Sequence, residues 1–247
     1  GWDINPQIGI EGKITNSFGA TPSTGLLTVP SDNVPVASLN VTYSPQNKDT
    51  NLTPLNKRDK SISNGGITVS NALIPKAGSS QININFDEKG NVFGSYGYSM
   101  SNTFQLELLN IGSFNGFNYK NKNLSVPHSS LYSTWFDENN LNYRLGGKVL
   151  ILSPQKGDPY WLSLRASVGR NNDTNQGYMF YEFINTFRVY NWLSLNISPK
   201  VFISGVERFA GLGFSSYVNL TDKIQLIPEI NTSFKKYHSK NLDDKEF

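Results

Sequence analysis

From about residue 140 onward the sequence alternates in polarity with a period of two, and no other feature limits the fold as strongly. In 192–204 the odd positions carry Leu193, Leu195, Ile197, Pro199, Val201 and Ile203. The even positions carry Ser194, Asn196, Ser198, Lys200, Phe202 and Ser204, so only Phe202 breaks the pattern. In 160–169, Tyr160, Leu162, Leu164, Ala166 and Val168 oppose Trp161, Ser163, Arg165, Ser167 and Gly169. The same contrast separates Ala210, Leu212, Phe214 and Val218 from Gly211, Gly213 and Ser215, and Ile224, Leu226, Pro228 and Ile230 from Gln225, Glu229 and Asn231. Successive side chains of a strand point to opposite faces, so each set belongs to one face of a sheet. Helical spacing is absent over any three turns, and no apolar run approaches the roughly 20 residues of a membrane helix. The chain reads as all-β.

The connections follow a rule. Short turns are expected near 153–159, 189–191 and 220–222, separated by a longer polar loop at 170–176 and a modest one near 204–208. In an up-and-down meander, every second connection lies at the same end. The first 140 residues are less regular, with candidate strands at 3–14, 34–43, 67–74, 81–86, 91–99, 103–110 and 130–136. Long polar loops are expected at 15–33, 44–66 and 111–129, and loops of such length are usually functional. Tyr98–Glu107 echoes Tyr217–Glu229, each reading as a strand, a short turn and a returning strand with a Glu. The 247 residues are expected to form one domain, 1–247, with a C-terminal loop or tail at 235–247.

A closed antiparallel meander can turn its apolar face inward, as a soluble barrel, or outward, as a membrane barrel with a polar lumen. The polar face decides between them. It carries Ser, Gly and Asn with about one charge per strand. Charged residues are 17% of the chain, against roughly a quarter in soluble domains, and Asn and Ser, about thirty each, make up the difference. Small residues suit a narrow lumen. The expected pore-lining charges are Glu107, Arg144, Lys148, Arg165, Glu182, Lys200 and Glu229. A tight turn at 189–191 places Glu182 opposite Pro199 or Lys200, and a loop centred near 173 places Arg165 opposite Glu182. A ladder Arg165–Glu182–Lys200 across three neighbouring strands follows. Tyr160, Trp161, Tyr190, Trp192 and Tyr217 cluster near the short-turn end, as in the aromatic belt at a membrane interface. Strands of about 10–12 residues suffice to cross hydrocarbon at a tilt.

The stretch from about 141 to 234 resembles the hairpins of bacterial outer-membrane β-barrels of the porin-like kind. Trp192-Leu-Ser-Leu-Asn-Ile-Ser-Pro-Lys200 resembles a strand following a periplasmic turn, and Gly211 to Glu229 resembles a strand, a Thr-Asp turn and a returning strand. The resemblance implies an up-and-down antiparallel transmembrane β-barrel of about 12–14 strands in an outer membrane. Many members end on an alternating aromatic strand with a terminal Phe. Here Phe247 is present, but 235–247 lacks the alternation, so two outcomes are open: a fragment without its final strand, which is the favoured expectation, or closure of strand 1 against strand 223–234 with odd parity.

Little in the chain points to chemistry. With no Cys, disulfides, thiolate metal sites and a Cys nucleophile are excluded. Two histidines, His128 and His238, argue against a multi-His metal site, and a net charge of +3 leaves no nucleic-acid footprint. His128-Ser129-Ser130 is the one catalytic-looking cluster. A triad would need a third group, for which Asp137 and Asn139 have no further support. Asp87-Glu88-Lys89-Gly90-Asn91 lacks the ligand spacing of a calcium loop and reads as a hairpin turn. Lys120-Asn121-Lys122 reads as a solvated basic loop, and the sequons at Asn40 and Asn51 are expected by chance. The expectation is therefore a non-enzymatic barrel without cofactor or metal. Its partners are outer-membrane lipid and small polar solutes, its role is passage or a structural part in the envelope, and a homo-oligomer is compatible. A secreted soluble β-sandwich or barrel that binds glycans, and a membrane-barrel lipid hydrolase using His128, are the alternatives.

Overall fold

The computed structural model describes residues 2–5, 7–15, 36–43, 45, 62, 69–87, 91–113, 142–170, 177–204, 207–221 and 224–238. They form one antiparallel sheet in strict chain order. Its strands are β1 (Trp2–Asn5), β2 (Ile8–Thr15), β3 (Val36–Tyr43), β4 (Ser80–Asp87), β5 (Asn91–Ser99), β6 (Phe104–Ser113) and β7 (Asn142–Leu152). They continue as β8 (Trp161–Arg170), β9 (Gly177–Tyr190), β10 (Leu193–Ser204), β11 (Glu207–Asn219), β12 (Gln225–Leu226) and β13 (Glu229–His238). The last two lie in succession along β11, with Asn219 opposite Gln225 and Ser215 opposite Glu229 in one register. They are one strand interrupted at Ile227-Pro228, where Pro228 has no N–H to give, and the sheet has twelve strand positions. It is not closed into a barrel: no pairing among the described residues joins β1 to β12 or β13.

The short turns fall where the alternation places them. Between β7 and β8, Ser153 caps a 3-10 turn over Pro154–Lys156, and Gly157 ends it at φ 93°, a left-handed conformation suited to glycine. Asn191 and Trp192 alone join β9 to β10. Between β11 and β12, Thr221 N–H donates to the Ile224 carbonyl at 3.2 Å and Ile224 N–H to Thr221 Oγ1 at 3.0 Å. With the β1–β2 and β5–β6 turns, these lie at one end of the meander.

Two candidate strands are corrected. The span 3–14 is a hairpin, β1 and β2, bent at Asn5–Ile8 where the sequence places Pro6. Of the span 67–74, residues 69–74 are described and are not a strand: residues 69–79 have no regular structure. Their apolar run, Val69 with Ala72, Leu73 and Ile74, is fully buried, which is why it looked like a strand in sequence. Candidate strand 130–136 lies outside the described residues, as do nearly all of the long polar loops. The expected tail begins later than 235, since Lys235–His238 belong to β13.

The two faces of the sheet differ as the alternation requires, with the apolar set outward. Leu145, Val149, Ile151, Val168, Met179, Phe183, Leu195, Val201, Phe214 and Ile230 are exposed. Their neighbours Lys148, Ser163, Arg165, Ser167, Glu182, Thr186, Ser194, Asn196, Ser198 and Lys200 are buried. The contrast at one place in β9 is complete: Glu182 is 0% exposed and the adjacent Phe183 is 48%. The arrangement is the reverse of a water-soluble sheet packed on an apolar core.

Gly146 marks where the inner face is most crowded. It pairs with Glu107 on one side and Ser167 on the other. A Cβ there would sit 2.4 Å from Ser167 Cβ and 2.5 Å from the Ala166 carbonyl oxygen, whereas one at Gly12 in β2 meets nothing within 4 Å. Gly146→Val is therefore expected to lower unfolding free energy by about 1–3 kcal/mol, and Gly12→Ala to leave it within about 0.5 kcal/mol. Urea unfolding of the purified protein measures both.

Candidate functional site

A buried charge cluster occupies the middle of the inner face. The register of β6 to β11 aligns one row across the sheet: Gln105, Lys148, Arg165, Glu182, Lys200 and Gly211 are successive partners. The row contains the expected ladder, with Arg165 opposite Glu182 and Glu182 opposite Lys200. Arg165 Nη1 donates to Glu182 Oε2 at 2.6 Å, and Lys200 Nζ stands 3.8 Å from Glu182 Oε1.

Glu107 joins from β6. It lies one row away and reaches past β7 to Arg165, whose Nη2 donates to Oε1 at 2.9 Å while Nε stands 2.7 Å from Oε2. Two carboxylates thus hold one guanidinium, whose planar fork suits bidentate pairing. Lys148 sits directly opposite Arg165, so two cations are adjacent in the row. The ammonium is turned instead to the Leu73 carbonyl, 2.7 Å away.

That carbonyl belongs to residues 69–74, which lie against the inner face. Arg165 Nη1 also donates to Ser70 Oγ, and Ser163 Oγ donates to the Ala72 carbonyl. Ala72 N–H donates to Thr186 Oγ1 at 2.8 Å. Thr186 Oγ1 donates in turn to Asn196 Oδ1 at 2.6 Å, and Asn196 Nδ2 donates to Ser215 Oγ at 3.0 Å. Asn71 steadies the segment from within: its Nδ2 donates to the Ile62 carbonyl and its Oδ1 accepts from Leu73 N–H at 3.0 Å. The segment's backbone lacks a strand partner, so side chains of β7, β8 and β9 take that place. Its apolar side chains are covered as well, because Ala72, Leu73 and Ile74 pack with Ile62, Leu150, Trp161 and Ile184 in one cluster.

The segment enters from the short-turn end. It belongs to the β3–β4 connection, the one long connection at that end. Gly78, at φ 79°, turns it back into β4 and donates to the Ser99 carbonyl at 2.7 Å. Ala77 N–H donates to Asn102 Oδ1 at 3.0 Å, which ties the exit of the segment to the β5–β6 turn.

Of the charges expected to line a pore, Glu107, Lys148, Arg165, Glu182 and Lys200 come together. Glu229 does not join them: it pairs with Ser215, four residues along the strands from the cluster row. Arg144 lies in β7 between Leu109 and Gly169, four residues along the strand from Lys148. Among the belt aromatics, Tyr190 and Trp192 are exposed and stack at 5.7 Å, and Tyr160 stacks on Phe187 at 4.8 Å. Trp161 and Tyr217 are corrected. Both are buried on the inner face, Trp161 against the 69–74 segment with the Arg188 guanidinium 5.1 Å from its ring. Their odd numbering put them in the Ser163–Arg165 and Ser215 sets from the start, which an outward belt cannot use. The inner-face residues Leu150 and Ile184 were missed, although as apolar residues in polar sets they mark where something packs inside. His128, Ser129, Ser130, Asp137 and Asn139 lie outside the described residues, as does Lys120-Asn121-Lys122. No group of three or more metal-ligating side chains occurs among the described residues. No protein-family model, curated protein or solved structure matches the chain.

Glu182 is the carboxylate shared by two buried cations. Glu182→Ala is expected to cost about 3–5 kcal/mol, because it removes the buried carboxylate that Arg165 and Lys200 share. Glu182→Gln keeps the shape and some hydrogen bonding and is expected to cost less, about 1–3 kcal/mol. Denaturant unfolding of the purified variants ranks the two, and equal costs would mean that volume rather than charge matters at this position.

Proposed function

We propose that the chain is an outer-membrane β-barrel of the porin-like kind that passes small polar solutes along its inner face. One observation carries the reading: the apolar face of the meander is bare and the polar face is buried. In water that arrangement exposes a contiguous apolar band, which soluble monomers rarely tolerate. In a bilayer the band meets hydrocarbon and the polar face lines the lumen. Two further features support it. Twelve is an even number of positions, so the edges β1 and β13 run antiparallel, the relation that closure needs; an open edge in lipid would leave backbone groups unsatisfied. Tyr190 and Trp192, exposed at the short-turn end, are suited to an interface.

The lumen charges supply selectivity without covalent chemistry. Among the described residues the cluster holds three cations, Lys148, Arg165 and Lys200, against Glu107 and Glu182, a balance on the positive side that favours anionic solutes there.

The outer face provides the test. Phe183 lies at mid-strand, beside the cluster row. In a bilayer, Phe183→Arg is expected to cost about 2–4 kcal/mol beyond its effect in water, since a cation at the midplane must leave lipid or thin it. Folding into phosphatidylcholine vesicles, followed by electrophoretic mobility before and after heating, measures the loss. A protein that stays monomeric in detergent-free buffer, and whose Phe183→Arg variant is as stable as the parent, would instead be the soluble glycan-binding module.

A further inference from the structure

We propose that residues 69–74 are an internal plug, bound to the inner face as an extended peptide ligand would be bound, and that solutes pass only when it is displaced. The inference rests on the barrel reading above for the passage it blocks, but not for the docking itself. Three observations carry it. The first is position: the segment covers the rows of Arg165, Ser163 and Thr186, from the middle of β8 to its short-turn end, across the inner face where a lumen would have to be open. The second is the chemistry of the contact. The inner face meets the segment through the backbone as well as the side chains: Lys148 donates to the Leu73 carbonyl, Ser163 to the Ala72 carbonyl, and Thr186 accepts from Ala72 N–H. Such a surface reads chain direction and spacing more than side-chain identity, as in peptide recognition at a sheet. Apolar contacts of Ala72, Leu73 and Ile74 with Leu150, Trp161 and Ile184 add to the hold.

The third is reversibility. The segment is joined to the sheet through side chains, and no strand ladder runs along it. Each of those hydrogen bonds is individually weak, and none lies within a strand pair. The segment can leave without breaking the sheet, because the Gln105–Lys148–Arg165–Glu182–Lys200 row keeps its cross-strand register in its absence. Displacement would uncover the cationic side of the cluster, chiefly Lys148, which then loses its only described acceptor in the segment. The plug and an anionic solute thus use the same cation, and they compete for it.

The absence of native cysteine gives a clean probe. In detergent micelles, the labelling rate of the Ala72→Cys thiol by a maleimide reports how often the segment leaves. Ser163→Ala and Lys148→Met each remove one donor to the segment and are expected to speed labelling about fivefold, from the net strength of one hydrogen bond. In planar bilayers the same substitutions are expected to raise open probability by the same factor. Ala72→Cys/Thr186→Cys, joined by a short bifunctional methanethiosulfonate that loses one sulfinate per thiol, is expected to abolish openings until a reductant cleaves the link. Labelling that is already fast in the parent, or indifferent to the two substitutions, overturns the docking. Unchanged conductance of the cross-linked protein overturns the blocking role. Failure of every variant to enter a bilayer overturns the transport reading and the blocking role with it, while the labelling rates still decide the docking.

Discussion

Arg165 is the interaction on which the inner face depends. It binds carboxylates from two other strands, Glu107 of β6 and Glu182 of β9, and a hydroxyl of the inserted segment. Burying ions costs several kcal/mol each, and even a well-made pair returns little beyond that cost. The cluster therefore contributes less to net stability than its geometry suggests. What it supplies is register. A slip of one residue in β9 would carry Glu182 to the outer face and bring Phe183 opposite Arg165 and Lys200. Uniform rows of Ser, Asn and Gly tolerate slippage far better. One buried Arg between two carboxylates fixes β6 to β10 relative to one another.

The inner face is not the evenly polar surface that alternation suggests. Leu150, Trp161 and Ile184 form an apolar patch on β7, β8 and β9, next to the donors Lys148, Ser163 and Arg165. Residues 69–74 match this mixed surface, with apolar Ala72, Leu73 and Ile74 and a polar backbone that seeks donors and acceptors. Either half alone would be poorly used. Apolar side chains on a wholly polar face would bury its groups without partners, and a wholly apolar face would leave the segment's amides unsatisfied. Segment and face satisfy each other, which explains how a chain with no ladder partner lies fully buried at mid-sheet.

The sequence made the sheet legible because its signal has the same period as the structure. From β7 onward both faces, the short-turn end and the pairing of Arg165, Glu182 and Lys200 are legible in the sequence. Register was accessible there because a two-residue turn, Asn191-Trp192, leaves little freedom in which residues meet. The 67–74 stretch failed for a different reason. A short buried run looks the same whether it pairs in a sheet or lies across one, since burial selects the apolar side chains in both cases. Trp161 and Tyr217 failed because residue type was weighed over position: aromatics were assigned to a membrane belt although their parity assigned them to the inner face. Glu107 was recognised as an inner charge, but its reach across β7 to Arg165 is diagonal, and nearest-partner register cannot show it.

The scarcity of charge follows from how the inner face satisfies itself. Away from the cluster, neutral side chains form hydrogen-bonded rows across neighbouring strands. Asn40 donates to Thr42, Thr42 to Asn83 at 2.7 Å, and Asn83 to Ser95 at 3.1 Å, across β3, β4 and β5. Thr186, Asn196 and Ser215 do the same across β9, β10 and β11. Asn both donates and accepts, and a hydroxyl does so through one atom, so such rows can run from strand to strand without a counter-ion. A row of carboxylates and amines would need every charge matched in a space that excludes water, and each mismatch would cost more than a missing neutral bond. Neutral rows therefore cover much of the face, and the buried charges among the described residues gather where register has to be fixed. The outer face needs none. A chain built this way is rich in Asn and Ser, only 17% charged and, at a mean hydropathy of −0.39, not hydrophobic on average.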